Sequence, residues 1–319
     1  MKTLLLPPTK KSLVKATRIL KNGGLVAFPT ETVYGLGADA HNPEAISKVY
    51  KVKERPPSNP LIVHVKDVGM ASELAVFDDI SYHLANRFWP GPLTLILPQK
   101  VSSKIPDSVT ANSGYIAIRV PTNPIILDLI ELLGKPIVGP SANLSGKISP
   151  TSPSHVLADL DGKIEAIIDG SDCSMGLEST ILMYEPPNLQ ILRLGIIPME
   201  KISSELSELK VTTSLDGVKV PSPGSKFRHY SPDMPIRINC QKKEPYELLI
   251  GFGETKGADL NLSEDGDLVE AAKNLYKMLR QADQKAKSSK HKKIAVSPIP
   301  NIGLGISIND RLERASKKA

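Results

Sequence analysis

Apolar and polar residues fall in blocks along residues 1–205 that predict alternating helices and strands. Leu13, Ala16 and Leu20 recur at helical spacing, and the apolar run 24–28, ended by Pro29, predicts a buried strand. Further strands are predicted over residues 61–65, 93–97, 115–120, 136–138, 166–168, 179–182 and 189–194, with helices over 45–50, 80–88 and 124–133. This pattern favours an α/β fold class with one large twisted sheet and helices. Because it is not a strict strand–helix repeat, we expect a mixed sheet.

A second, smaller α/β unit is predicted over residues 235–319. Strands are expected over 236–238, 247–252 and 294–296, and Leu268, Leu275 and Leu279 share one helical face. Between the two units, residues 212–234 combine proline and glycine with cationic and aromatic residues, which indicates an ordered linker. The predicted organisation is therefore residues 1–211, the linker 212–234, and residues 235–319 as a small Rossmann-like α/β domain.

Composition fits a globular protein of about two domains with a mild basic excess. The chain has 319 residues, 40% hydrophobic and 23% charged, with a net charge of +6. Aromatic residues make up only 4%, which argues against recognition of nucleic acid by broad base stacking. The positive charge leaves open an anionic ligand or an RNA-related partner.

Cysteine usage and apolar run length predict a cytoplasmic protein. Cys173 and Cys240 show no metal-binding spacing, so a reducing compartment is the simplest inference. No apolar run approaches the roughly 20 residues that a membrane helix needs, so no membrane partner is expected.

Two cations fall in a predicted turn just after the helix at 45–50. Lys53 and Arg55 can converge there on one anion, the arginine as a planar fork and the lysine as a compact charge. Asn59 can add an amide donor nearby. The alternative is an ordinary cluster of surface charges.

Small polar residues follow the predicted strand at 136–138. Ser141 and Asn143 come after Gly139 and Pro140, at a strand end where open α/β sheets bind ligands. Hydroxyl and amide groups there suit phosphate oxygens or a ligated Mg²⁺. The alternative is a simple turn before a helix.

Further polar residues interrupt or end apolar segments. Arg119 ends a strand, and a buried arginine must be paired or face a ligand such as a carboxylate. His64 lies inside another apolar strand, where a hydrogen-bonded core histidine is the alternative to a ligand. Thr32 lies in the hydroxyl-rich run 29–37, in which a helix cap would account for one hydroxyl. No motif for a covalent nucleophile or for zinc occurs, which favours chemistry by positioning and electrostatics.

Taken together, these segments resemble the YrdC-type family of threonylcarbamoyl-AMP synthases in its long, two-domain form. The resemblance rests on residues 29–37, 53–64, 89–94, 118–121, 141–146, 178–180 and 193–195, and on 222–230 and 303–312 for the long form. It implies that L-threonine, bicarbonate and ATP, with Mg²⁺, give threonylcarbamoyl-AMP and pyrophosphate. The product would feed a separate threonylcarbamoyl transferase complex that modifies tRNA.

The resemblance also implies roles for individual residues. Lys53, Arg55, Ser141 and Asn143 would be catalytic, and the last two would lie near Mg²⁺ through the phosphates. The implied ATP-binding set is Lys53, Arg55, Asn59, Tyr115, Ser141, Asn143, Arg193 and Tyr230, and the implied threonine-binding set is Thr32, His64, Arg119 and Ser179. Tyr230, on the linker, would cover the active site and exclude water, which protects a labile adenylate.

Two other functions compete with this one. A non-enzymatic RNA-binding protein is consistent with the basic charge, and it would show affinity that falls steeply with salt. A carbamoyl-transfer module of the hydrogenase-maturation type would bring zinc-finger and acylphosphatase-like segments, which this chain lacks.

Overall fold

The computed structural model describes residues 2–206, 209–213, 230–289 and 291–317, and its first part is dominated by one large sheet. The strands of that sheet are β1 (Leu4–Leu6), β2 (Val26–Phe28), β3 (Gly35–Asp39), β4 (Ile62–His64), β5 (Leu93–Pro98), β6 (Tyr115–Arg119), β7 (Ile137–Val138), β8 (Ala166–Ile168), β9 (Thr180–Glu185), β10 (Asn188–Arg193) and β11 (Lys210–Thr212). The helices are α1 (Lys10–Lys21), α2 (Pro43–Lys53), α3 (Val68–Leu74), α4 (Asp79–Phe88), α5 (Asp107–Thr110), α6 (Pro124–Leu133), α7 (Pro153–Leu160) and α8 (Met199–Glu205).

The large sheet has 11 strands in the order β1-β8-β2-β3-β7-β4-β6-β5-β9-β10-β11. The pairs β1/β8, β8/β2, β4/β6, β5/β9 and β10/β11 are parallel, and the other neighbours are antiparallel. The prediction of a mixed sheet is therefore confirmed.

Local sequence explains where the helices start and which face they bury. Thr9 caps α1 by accepting from Ser12 N, and the helix buries Leu13 and Leu20. Asn42 caps α2, whose first residue is a proline, and this helix ends at Glu54 in the left-handed conformation. Apolar side chains of both faces of the sheet then pack against the helices in separate clusters.

The hydroxyl-rich run 29–37, for which the sequence predicted no strand, needs a correction, because its last part is the strand β3. Gly35 and Gly37 weaken any sequence-based prediction of a strand there. Both glycines have a packing reason: a Cβ on either would lie 2.8 Å from the ring of Phe28 on the neighbouring strand β2. The ring of Phe28 therefore takes the space that side chains would fill.

The C-terminal part forms the expected small α/β unit. It contains β12 (Ile236–Arg237), β13 (Glu247–Gly251), β14 (Leu260–Asn261), α9 (Leu268–Lys287), β15 (Lys293–Val296) and α10 (Leu304–Ser316). The strands form a parallel sheet in the order β12-β15-β13-β14. The domain bounds 1–211, 212–234 and 235–319 stay predictions, and residues 214–229 of the predicted linker lie outside the described residues.

The two units share an apolar cluster. Val33, Ile148 and Leu177 from the first unit, together with Tyr230, pack with buried residues of the C-terminal unit such as Leu275. Gly176 lies so close to α9 that a Cβ would meet the backbone of that helix at 2.4 Å. The C-terminal unit therefore packs directly against loops of the first. None of the helices in the described segments is long and apolar enough to cross a membrane.

Candidate active site

Several strand ends and loops meet at one edge of the large sheet. His64 and Arg119 end the parallel strands β4 and β6 and are paired in register. Arg193 ends β10, and Ser179 directly precedes β9, the antiparallel neighbour of β10. Because β5 lies between them, with β9 starting and β6 ending at the same end of β5, these four side chains reach one pocket.

The predicted basic turn contains two buried cations with different surroundings. Arg55 donates to Asn59 Oδ1 at 2.6 Å and to the carbonyls of Asn59 and Pro60 at 3.0 and 2.7 Å, and it lines the pocket. Burial, together with the positive charge of Arg193, lowers the pKa of Arg55 to about 10. Arg55 therefore remains a cation at neutral pH, held in a site where an anion would be stabilised.

Lys53 lies behind the polar loop that follows β7. Its ammonium group donates to the carbonyls of Ser141 and Asn143 at 2.5 and 2.6 Å, and the residue is only 1% exposed. Burial and the nearby charge of Arg55 hold the pKa of Lys53 well below its usual value. In this structure the lysine supports the loop rather than lining the pocket.

The loop after β7 is fixed by its own hydrogen bonds. Asn143 donates both N–H groups of its side-chain amide, to the carbonyls of Leu144 and Lys147, and the remaining side-chain atom is the oxygen Oδ1. That oxygen is buried and has no hydrogen-bond partner among the described residues. Ser141 forms a bridge with Gly35 of β3, so the loop continues the edge of the sheet.

His64 is wholly buried against aromatic and glycine neighbours. Its ring meets Phe28 edge to face with centroids 5.7 Å apart, and a Cβ on Gly139 would lie 2.8 Å from it. Burial, with the charge of Arg119, lowers the pKa of His64 to about 3. Because of this low pKa, His64 lines the pocket as a neutral imidazole. Its Nδ1 atom has no hydrogen-bond partner within the described segments.

Arg119 is held by three groups of the surrounding wall. It donates to Thr32 Oγ1 at 2.9 Å and to the carbonyl of Gly91 at 3.3 Å. Its NH2 atom lies 2.7 Å from Glu31 Oε1, in an ion pair with both side chains at most 5% exposed. These two atoms are close, but the N–H direction is not that of a hydrogen bond. The NH2 group of Arg119 can therefore donate to a further acceptor.

Ser179 and Arg193 are joined on the opposite wall. Arg193 donates to the carbonyl and to Oγ of Ser179 at 3.0 and 2.8 Å, and Ser179 Oγ lies 2.7 Å from Thr94 Oγ1. Burial holds the pKa of Arg193 below its usual value. The next carboxylate is Glu178, which lines the pocket and is bonded on its far side by the C-terminal unit.

Comparisons with known proteins find matches over almost the whole length of the chain. A family model described as telomere recombination matches residues 18–195, and one described as the C-terminal domain of threonylcarbamoyl-AMP synthase matches residues 197–317. A threonylcarbamoyl-AMP synthase from Pyrococcus abyssi is 39% identical, over 94% of this chain and 93% of that protein. The chain belongs to the threonylcarbamoyl-AMP synthase family.

Other family members agree. A threonylcarbamoyl-AMP synthase from Bacillus subtilis is 38% identical over 95% of this chain and 92% of its own length. The crystal structure of Sua5 from Pyrococcus abyssi in complex with L-threonine matches with a TM-score of 0.88 at 35% identity, over 99% of this chain and 98% of that one. The predicted family and its two-domain fold are therefore confirmed.

The structure brings together most of the site residues that the family resemblance implied. One pocket is lined by Thr32, Arg55, His64, Arg119, Ser141, Asn143, Ser179, Arg193 and Tyr230. Three predicted residues are placed elsewhere: Lys53 behind the loop, Asn59 against Arg55, and Tyr115 at the start of β6, beside the apolar patch that contains Ile96. The individual roles of all these residues stay predictions.

Sequence reasoning did not single out three polar residues of the pocket wall. Lys147, Ser149 and Glu178 also line it. Lys147 directly follows Gly146 of the polar loop, and Glu178 precedes Ser179, so both stood next to recognised positions. Their orientation toward the pocket depends on contacts with distant segments, which local sequence does not reveal.

Proposed function

We propose that this chain is a threonylcarbamoyl-AMP synthase, joining L-threonine, bicarbonate and ATP into threonylcarbamoyl-AMP and pyrophosphate. The observation that carries the proposal is the charge of the pocket wall. Four cations line it, namely Arg55, Arg119, Lys147 and Arg193, against the single carboxylate of Glu178 among the described lining residues. Arg119 and Lys147 also pair with the carboxylates of Glu31 and Asp233, so Arg55 and Arg193 contribute most of the excess positive charge. Such a wall suits a polyphosphate together with a second anionic substrate.

The nucleotide phosphates are assigned to the side of the pocket formed by Arg55 and the loop after β7. Arg55 offers a guanidinium already fixed by Asn59, so little side-chain entropy is lost on binding. Ser141 and Asn143 add a hydroxyl and an amide at the same edge. Arg193 faces them from β10 and is close enough to Arg55 to lower its pKa.

Threonine is assigned to the side formed by Thr32, His64 and Arg119. The unaligned N–H groups of Arg119 are available to a substrate carboxylate. The imidazole of His64 stays neutral at physiological pH, so it binds as a hydrogen-bonding group and does not repel the substrate ammonium. Ser179 closes this side opposite Arg119.

The reaction needs alignment more than a covalent intermediate. The threonine nitrogen forms a bond to the carbon of bicarbonate, and water and a proton leave. An oxygen of the resulting carbamate then attacks the α-phosphorus of ATP, and the bond from that phosphorus to pyrophosphate breaks. Arg55 and Arg193, on the side assigned to the nucleotide, stabilise the negative charge that the phosphates carry as the bond breaks.

The residues present fit a Mg²⁺ ion that enters with the nucleotide. No group of three or more His, Cys, Asp or Glu side chains that could hold a metal lies in the described segments. Mg²⁺ is usually held by one or two protein ligands together with substrate phosphates. The buried Oδ1 of Asn143 and the hydroxyl of Ser141 would be the protein ligands, and the ion would neutralise phosphate charge there.

The proposal includes a cellular setting for the product. Threonylcarbamoyl-AMP would pass to a separate transferase complex that modifies tRNA, and weak affinity of this chain for RNA would assist that transfer. The two cysteines, Cys173 and Cys240, are free and buried, which supports the cytoplasmic location predicted from the sequence.

The proposal is tested by measuring pyrophosphate release and identifying the adenylate by mass spectrometry. Release should require threonine, bicarbonate and ATP together. Arg119→Gln should raise the KM for threonine by about a hundredfold or more, since a charged hydrogen bond contributes about 1.5–3 kcal/mol and positioning is also lost. Arg87→Gln is the matched control, because Arg87 pairs with Glu205 on the surface.

Two outcomes would overturn the proposal. One is a folded protein that releases no pyrophosphate with all three substrates present. The other is release that does not depend on threonine. Family membership favours an enzyme over the RNA-binding alternative. Tight binding of tRNA that weakens steeply with salt, by protein that lacks synthase activity, would support the RNA-binding alternative instead.

A further inference from the structure

The C-terminal unit reaches the pocket wall through one buried arginine. Arg311, on α10, is wholly buried and donates to Glu178 Oε2 at 3.0 Å and to the carbonyl of Leu194 at 2.6 Å. Its guanidinium also lies 4.9 Å from the ring centroid of Tyr230. Each of these contacts is made with a pocket residue or with the direct neighbour of one.

A second C-terminal side chain holds the same carboxylate. The hydroxyl of Tyr276, on α9, lies 2.9 and 2.7 Å from the two oxygens of Glu178, and its ring stacks on Tyr230 with centroids 5.6 Å apart. Ser307 of α10 adds a hydrogen bond to the carbonyl of Gly195 at 2.8 Å. The two C-terminal helices thus hold the segments around residues 178, 194 and 230 together.

We propose that Arg311 and Tyr276 are positioning residues of the active site. Through Glu178, the carbonyl of Leu194 and direct contacts with the ring of Tyr230, they fix the positions of Arg193 and Tyr230, so the C-terminal unit sets the geometry of the nucleotide side of the pocket. The assignment of that side to ATP rests on the proposed function.

The physical reason is the charge balance around Glu178. This buried carboxylate is compensated by Arg311, and the next cation is Arg193, which is near enough to contribute to the lowered pKa of Glu178. In the folded protein Arg193 donates hydrogen bonds to the carbonyl and the hydroxyl of Ser179. Without Arg311, the uncompensated carboxylate would draw Arg193 toward itself and away from its place beside the ATP phosphates.

The test compares ATP affinity, measured by calorimetry, with kcat and KM in a set of full-length variants. Arg311→Met should weaken ATP binding by about tenfold to a hundredfold, the range expected for misplacement of a binding group. Tyr276→Phe keeps the stacked ring and removes one hydroxyl, so it should fold like wild type and weaken ATP binding by about two- to tenfold. In both variants the KM for threonine should change less than the KM for ATP.

A double variant separates positioning from general destabilisation. Glu178→Gln combined with Arg311→Met removes both charges, so Arg193 has no carboxylate to approach, and ATP affinity should return to within about threefold of wild type. Arg237→Met is the matched control, because Arg237 pairs with the buried carboxylate of Glu247 in the same unit and neither residue lines the pocket. It should leave ATP affinity unchanged.

The inference fails if folded Arg311→Met or Tyr276→Phe protein binds ATP like wild type. It also fails if the double variant is no better than Arg311→Met, or if Arg237→Met loses ATP affinity to the same degree. The proposed function has a separate failure, which is the absence of threonylcarbamoyl-AMP from the wild-type reaction. ATP binding that follows the predicted order without that product would support the positioning role and overturn the synthase.

Discussion

The stability of the protein should fall in mildly acidic solution because His64 is buried as a neutral ring. The side chain is 2% exposed, packs on Phe28 and lies beside the positive charge of Arg119. Its pKa is about 3 in the folded chain, against an ordinary value of 6.5. In the unfolded chain the ring is free to take up a proton, and in the folded chain it is not.

The sign follows from proton binding in the two states. Below pH 6.5 the unfolded state binds a proton at His64 that the folded state does not bind, so acid favours unfolding. The stability that His64 contributes is fully present above pH 6.5 and is lost progressively between pH 6.5 and pH 3. A pKa lowered from 6.5 to about 3 corresponds to about 5 kcal/mol at the acid limit and ~2 kcal/mol at pH 5.

The perturbation is His64→Gln, and the measurement is urea unfolding at pH 7.5 and pH 5.0. Trp89 is the only tryptophan, is buried in the first unit, and reports unfolding by fluorescence. Other groups also titrate in this range, so the decisive quantity is the difference between the two proteins. Wild type should lose about 2 kcal/mol more than the variant between the two pH values.

A matched control and a refuting result complete the test. His83 lies on α4 with its side chain exposed, so His83→Gln should show the wild-type loss of stability between the two pH values. If the unfolding free energies of wild type and His64→Gln fell in parallel between pH 7.5 and 5.0, His64 would not be a buried neutral ring, and its assignment to the threonine side would lose its electrostatic basis.

Three further substitutions test the packing of the site. Gly139→Ala would place a Cβ 2.8 Å from the His64 ring and should lower the free energy of unfolding by about 1–3 kcal/mol; an unchanged melting temperature would contradict it. Glu54→Gly should stabilise the protein by about 1 kcal/mol in chemical denaturation, since Glu54 has φ 53° at the end of α2, and a loss of stability would refute that strain. Lys53→Met removes the donor to the carbonyls of Ser141 and Asn143, and each carbonyl left unpaired should lower the free energy of unfolding by about 1–3 kcal/mol. The same change should weaken ATP binding, measured by calorimetry. Unchanged ATP affinity would show that the loop does not depend on the lysine.

The elements that sequence predicted best are those with strong periodicity and clear boundaries. The helix predicted over residues 124–133 and the strand predicted over 166–168 have those same bounds in the structure. Asn123 and Pro124 mark the start of that helix and Gly134 its end, so residues at its two ends determine its limits. Strand β3 was missed because the contact that requires its glycines is made by Phe28 of the neighbouring strand.

The candidate site was predicted in part. Family resemblance selected twelve residues, and nine of them line one pocket. It did not indicate that Lys53 is bonded to backbone carbonyls 88 and 90 residues away, or that Arg119 pairs with Glu31. Those partners are chosen by the packing of separate strands and loops, and no local pattern encodes them.

The sequence by itself determined the α/β class, the two units, the family and the types of chemical group in the pocket. These follow from periodicity, turn residues and short motifs, each of which acts over a few neighbouring positions. The tertiary structure alone decided which cations face the pocket and which support it, and that Arg311 meets Glu178 across 133 positions of sequence. The physical reason is that a buried charge must find its partner in space, and only the folded arrangement of the two units determines which partner is near.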